Sequence, residues 1–143
     1  MDIMQEKGQS FKEFSEIQEI DIPFPIFTIR DLTTFEEQLK EKKFQDDVLH
    51  FLKRVGGGTA SITIRNIFKT AISDNLAKEF SWAGRKNKES FKDLKLSKII
   101  IQTVRMTHKD ITDNDIAEYA SKWLAQASVR IRREKKDERD SEK

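Results

Sequence analysis

Gly56-Gly57-Gly58 divides two stretches in which apolar residues return at helical spacing, and nowhere does the chain alternate strands with helices as a parallel sheet requires. Ahead of the glycines, Val48, Leu49, Phe51, Leu52 and Val55 define a helix over about 44–55. Behind them, Ile64, Ile67, Phe68 and Ile72 define another over about 60–72, with the β-branched run Ile62-Thr63-Ile64 leaving a strand as the alternative. Glycine takes the left-handed cap of a helix without steric cost, so the run ends the first of these helices. A glycine run before a helix also suits an anion-binding loop. The Lys-Ser/Thr pair of a P-loop is missing, however, and a helix–turn connection explains the glycines better.

The remaining punctuation is of the same kind. Thr33 and Thr34, each followed three residues later by a glutamate (Glu36, Glu37), predict a first helix reaching about Lys42 and burying Phe35 and Leu39. Ser73 caps a short helix over 74–80, and a further helix covers about 94–106 with Leu96, Ile99, Ile100, Thr103 and Val104 inward. Thr112, with Asp115 three residues on, opens a last helix. Its apolar stripe is Ile116, Tyr119, Ala120, Trp123, Leu124 and Ala127, continuing to Ile131, and from Glu134 only charge remains, so fraying is expected. Each proline of Ile22-Pro23-Phe24-Pro25-Ile26 keeps its predecessor extended. The expected fold is all-α: a compact bundle of five or six helices with an extended N-terminal arm and a basic C-terminal helix. Residues 1–22 are expected as a mobile acidic arm, 23–135 as the helical domain and 136–143 as a charged disordered tail.

Composition narrows the chemistry. The 143 residues suit one domain, and the absence of cysteine excludes disulfides, thiolate zinc sites and cysteine nucleophiles. No apolar run approaches a membrane span, and the N-terminus lacks the apolar core of a secretory signal, so an intracellular soluble protein is expected. Only His50 and His108 titrate near neutrality. Asp46 and His50 lie one helical turn apart, yet no further ligand follows at metal-binding spacing, and His108 reads as a surface-turn residue. Neither a metal site, a cofactor, a nucleophile–base pair nor a small-molecule substrate is expected, and no enzyme.

Charge points elsewhere. The net charge is +2, but residues 1–47 balance to −6 and the rest of the chain to +8. Gly84 begins a basic loop with Arg85, Lys86, Lys88, Lys92 and Lys95 against Glu89 and Asp93, and the last helix carries Arg130, Arg132 and Arg133. The candidate nucleic-acid-binding residues are Arg85, Lys86, Lys88, Lys92, Arg130, Arg132 and Arg133, contacting phosphates. The competing reading gives these cations to helix dipoles and solubility. Trp123 belongs to the apolar stripe, and Trp82 suits a packing lid that pins the loop, with direct base stacking as the alternative.

These residues carry a resemblance. Phe24-Pro25-Ile26, Phe44 through Leu52, the Gly56-Gly57-Gly58 break, Asp74-Asn75-Leu76-Ala77, Trp82-Ala83-Gly84-Arg85-Lys86, Phe91-Lys92-Asp93-Leu94 and Trp123-Leu124…Arg130 together resemble the animal domain of unknown function 4806. Its members often accompany transposon-derived or zinc-finger-like proteins. Residues 67–133 are more distantly similar to BEN domains, helical modules implicated in DNA binding and transcriptional or chromatin regulation. The resemblance implies a nuclear adaptor or DNA binder and no catalytic activity, with DNA contacted by the loop and the C-terminal helix if it is the latter. The alternative is a protein–protein interaction or self-association module, with Phe11–Ile29 docking on a partner or a second copy.

Overall fold

The computed structural model describes residues 22–141. The acidic arm, with Phe11, Phe14, Ile17 and Ile20, lies outside the described residues. Ile22, expected in that arm, is instead buried and starts the domain. The proline segment, expected to be extended, is bent: the Phe24 amide donates to the Ile22 carbonyl across Pro23 (2.9 Å) and the Phe24-Pro25 peptide is cis, after which Ile26 donates its N–H to Ala71 (2.8 Å) and accepts from Ser73 (3.0 Å).

Seven helices follow among the described residues: α1 (Ile29–Gln38), α2 (Lys42–Lys53), α3 (Ala60–Ala71), α4 (Asp74–Ala77), α5 (Lys95–Thr107), α6 (Asp113–Ala125) and α7 (Ala127–Ser141). Two-residue strands, β1 (Phe80–Ser81) and β2 (Glu89–Ser90), pair in parallel between α4 and α5. The fold is the expected all-α bundle. α2 packs on α5, α3 on α5 and α6, and α4 on α7.

Several caps are those the sequence offers. The hydroxyls of Thr59, Ser73 and Thr112 accept from the amides of Ile62, Leu76 and Asp115. Gly56, at φ +61°, ends α2, and its carbonyl accepts from Asn66 (3.1 Å), so part of the glycine turn serves to hold α3. The Ile62-Thr63-Ile64 run is helical, because Ile64, Ile67 and Phe68 share a fully buried face.

Four expectations are corrected. The first helix starts at Ile29, capped by Thr28 accepting from Asp31 (3.0 Å). Thr33 and Thr34 lie inside it and return their hydroxyls to the carbonyls of Ile29 and Arg30. The earlier start adds Leu32 to the stripe of Phe35 and Leu39. The final helix is two: Gln126 interrupts it, its N–H shared between the carbonyls of Lys122 and Trp123, and α7 restarts over α4. α7 then runs to Ser141 rather than fraying from Glu134, as the helix-favouring Lys, Arg and Glu of that stretch allow. His108, expected in a surface turn, is half-buried, its Nε2 2.9 Å from the Thr63 hydroxyl.

Glu36 has a long-range role. Leu94, ahead of α5, makes no side-chain cap, and the Glu36 carboxylate accepts from the amides of Lys95 (2.8 Å) and Leu96 (2.9 Å) instead. A carboxylate on two free amides at a helix N-terminus gains charge-assisted bonds and a favourable dipole interaction. Glu36→Ala should therefore destabilise the domain by about 1–2 kcal/mol, read as a lowered urea midpoint with unchanged slope. An unchanged midpoint would remove α5 capping from the account.

Candidate nucleic-acid interface

The basic loop is fixed at its stem by the core. Trp82 stacks on Phe91 at 6.3 Å between ring centroids, and its carbonyl accepts from the Lys92 amide (3.0 Å) and the Ser90 hydroxyl (3.3 Å). Trp82 is half-buried, as a packing lid should be. Pairing β1 in parallel with β2 makes the chain travel back along itself within Trp82–Lys88. Left-handed residues make that return possible: Gly84 at φ +76°, Lys86 at +59° and Asn87 at +63°. Lys88 donates its amide to the Arg85 carbonyl (3.0 Å), which with positive φ at both central residues makes Arg85–Lys88 a type I′ turn. The Ser81 hydroxyl accepts the Arg85 amide (2.6 Å) and closes the structure from below.

Lysine at the first central position is a costly choice. A non-glycine residue held at positive φ stores on the order of 1 kcal/mol or more that glycine would not. Arg85 and Lys86 are exposed and Lys88 half-exposed, and among the described residues no carboxylate pairs with any of them. They rim a cleft of about 500 Å³ floored by Trp82 and by Ser121 and Ala125 of α6.

The arginines of α7 divide. Arg130 is built into the fold: Nε donates to Asp74 Oδ1 (2.8 Å), Nη1 to the Trp123 carbonyl (2.8 Å), and the guanidinium lies 3.9 Å from the centroid of the Trp123 ring. It thus clamps α7 to α4 and α6. Arg132 and Arg133 are exposed. Arg133 lines a second cleft, of about 390 Å³, on the other flank of α6, with Arg65, Tyr119, Lys122, Trp123 and Arg130. Lys92 is exposed but, like Arg132, lines neither cleft.

The structure therefore brings Arg85, Lys86 and Lys88 together and sets Arg130 and Arg133 apart from them, with the C-terminal half of α6 between. Arg65 and Lys122 were missed by sequence reasoning. Both lie on helix faces away from the apolar stripe, and only the packing of α3 against α6 aims them at one cleft. Lys122 donates to Glu118 (2.9 Å), and that hydrogen bond, reinforced by the carboxylate's charge, raises its pKa above the ordinary lysine value.

Residues 18–103 match the model of a family described as a domain of unknown function, DUF4806. The match spans more than half of the chain, so the protein belongs to this family. It includes the whole basic loop and stops before α6 and α7. No curated protein and no solved structure matches the chain. No helix among the described residues is long and apolar enough to cross a membrane.

The two arginines should respond differently to truncation. Arg130→Met removes a partly buried ion pair and a cation–π contact, and should cost about 1–3 kcal/mol. Arg132→Met should leave thermal unfolding unchanged. Equal melting temperatures for the two variants would contradict the clamp.

Proposed function

We propose that this domain binds duplex DNA, contacting phosphates through the Arg85–Lys88 turn. The reading includes a nuclear setting, as part of a transcriptional regulator or a transposon-derived protein, and a distant kinship with BEN-like modules as part of the same proposal. The observation that carries it is the strained turn: three cations without carboxylate partners among the described residues, one of them at a left-handed position that glycine would occupy at lower cost. Strain of this kind is maintained where a side chain is needed for function. The positive balance of the chain beyond residue 47 supplies a long-range field toward a polyanion, and phosphate contacts require no base reading.

A second reading, an interaction module acting through residues 1–29, is favoured by one observation. Phe27 and Ile29 stand 60% and 45% exposed at the edge where the acidic arm joins the domain. The acidic arm and the basic remainder are complementary in charge, so head-to-tail association is its natural form.

Lys86→Gly separates function from stability. It should fold at least as stably as the parent, since the left-handed turn is relieved, while losing one phosphate contact. With three loop contacts the log–log salt slope of duplex affinity is about −2.7, a loss of roughly fortyfold between about 50 and 200 mM salt. Lys86→Gly should flatten that slope by about 0.9, measured by fluorescence anisotropy, and Lys135→Ala should not. Equal effects from the two changes would reduce the loop to unspecific charge. An absence of duplex binding at low salt would leave the interaction module in its place.

A further inference from the structure

The cleft on the far flank of α6 has its own chemistry. Arg65 from α3, Lys122 from α6, and Arg130 and Arg133 from α7 line it, and no carboxylate does. Arg130 cannot swing toward solvent, because Asp74, the Trp123 carbonyl and the Trp123 ring hold its guanidinium. Its remaining nitrogen, Nη2, is buried with no hydrogen-bond partner among the described residues. Arg130 therefore offers the cleft a fixed positive charge rather than a free donor, since Nη2 has no surface that a ligand could reach. Arg65 and Arg133 are exposed and have no carboxylate partner among the described residues, so both are available to the same anion.

From this geometry we infer a binding site for a nucleotide 5′-phosphate, separate from the basic loop. The concave shape selects an end or a free group over a continuous backbone. Lys122 and Arg130 are already paired with Glu118 and Asp74, and the two arginines left over, Arg65 and Arg133, match the charge near −2 of a phosphomonoester better than the −1 of a diester. Tyr119 offers a half-buried ring for a base to stack on, and Gln126, at the same cleft, offers the paired amide donor and acceptor that suit a purine edge. A cleft of about 390 Å³ admits one nucleotide. The site departs from the expectation that no small molecule is bound, and it does not depend on duplex binding by the loop.

Isothermal titration calorimetry on the full chain tests it with adenosine 5′-monophosphate, adenosine and inorganic phosphate. Adenosine 5′-monophosphate should bind, adenosine should not, and inorganic phosphate should bind at least tenfold more weakly. Arg65→Ala and Arg133→Ala should each weaken the nucleotide by roughly tenfold or more, whereas Lys86→Gly should leave it unchanged. A short single strand with a 5′-phosphate, compared with its 5′-hydroxyl form, identifies the source. A strand preference for the phosphorylated end that exceeds the free nucleotide's affinity assigns the site to strand termini, and equal affinities assign it to free nucleotide. Equal binding of adenosine and its monophosphate, equal binding of inorganic phosphate and the nucleotide, or no effect of Arg65→Ala and Arg133→Ala would each overturn the inference. Loss of nucleotide binding in Lys86→Gly would show that the loop, not this cleft, holds the phosphate.

Discussion

A continuous line of rings joins the two cationic clefts through the core. The Arg130 guanidinium lies over Trp123, Trp123 meets Phe68 at 5.3 Å, Phe68 meets Phe91 at 5.1 Å, and Phe91 stacks with Trp82 at the base of the loop. Aromatic pairs at these separations add to the burial energy of large side chains, and the rings belong to α3, α6 and the two sides of the loop. The chain of contacts therefore sets where the basic groups stand on the surface. Loosening Phe68 or Trp123 would release both clefts together, whereas changing Lys86 touches only one.

Three polar features lie outside the local rules: the left-handed turn at Lys86 and Asn87, the unpartnered Nη2 of Arg130, and the capping of α5 from α1 by Glu36. The last is a stability device, since it satisfies amides that the local sequence leaves free. The first two are not explained by packing, and they occur in the two clefts on opposite flanks of α6. Breaks of local rules without a packing gain are expected at functional or strained sites.

Much of the helix pattern was legible because its signals are local: a cap at Thr59, Ser73 or Thr112 depends on residues three positions away, and the stripes of α3 and α5 depend on spacing alone. The start of α1 was misplaced because two local capping boxes at Thr33 and Thr34 outweigh Thr28 on paper. Glu36 serves instead an amide 59 residues further on, which no local pattern encodes. The break at Gln126 follows from the seating of α7 on α4 by Arg130 and Asp74, again a tertiary event. At the surface, the loop cations were readable from Gly84 and the run that follows. Their separation from Arg130 was not, because a sequence shows charge but not which cation a distant aspartate claims.

The most direct measurement of the central claim is amide chemical-shift mapping of the ¹⁵N-labelled chain during titration with a short duplex at low salt. Phosphate contact through the turn predicts the largest shifts at Gly84–Lys88 and at Ser121 and Ala125 on the floor of the same cleft, with Glu37 and Lys40 on α1 unmoved. Shifts confined to Phe27 and Ile29, or spread evenly over all exposed lysines, would contradict it.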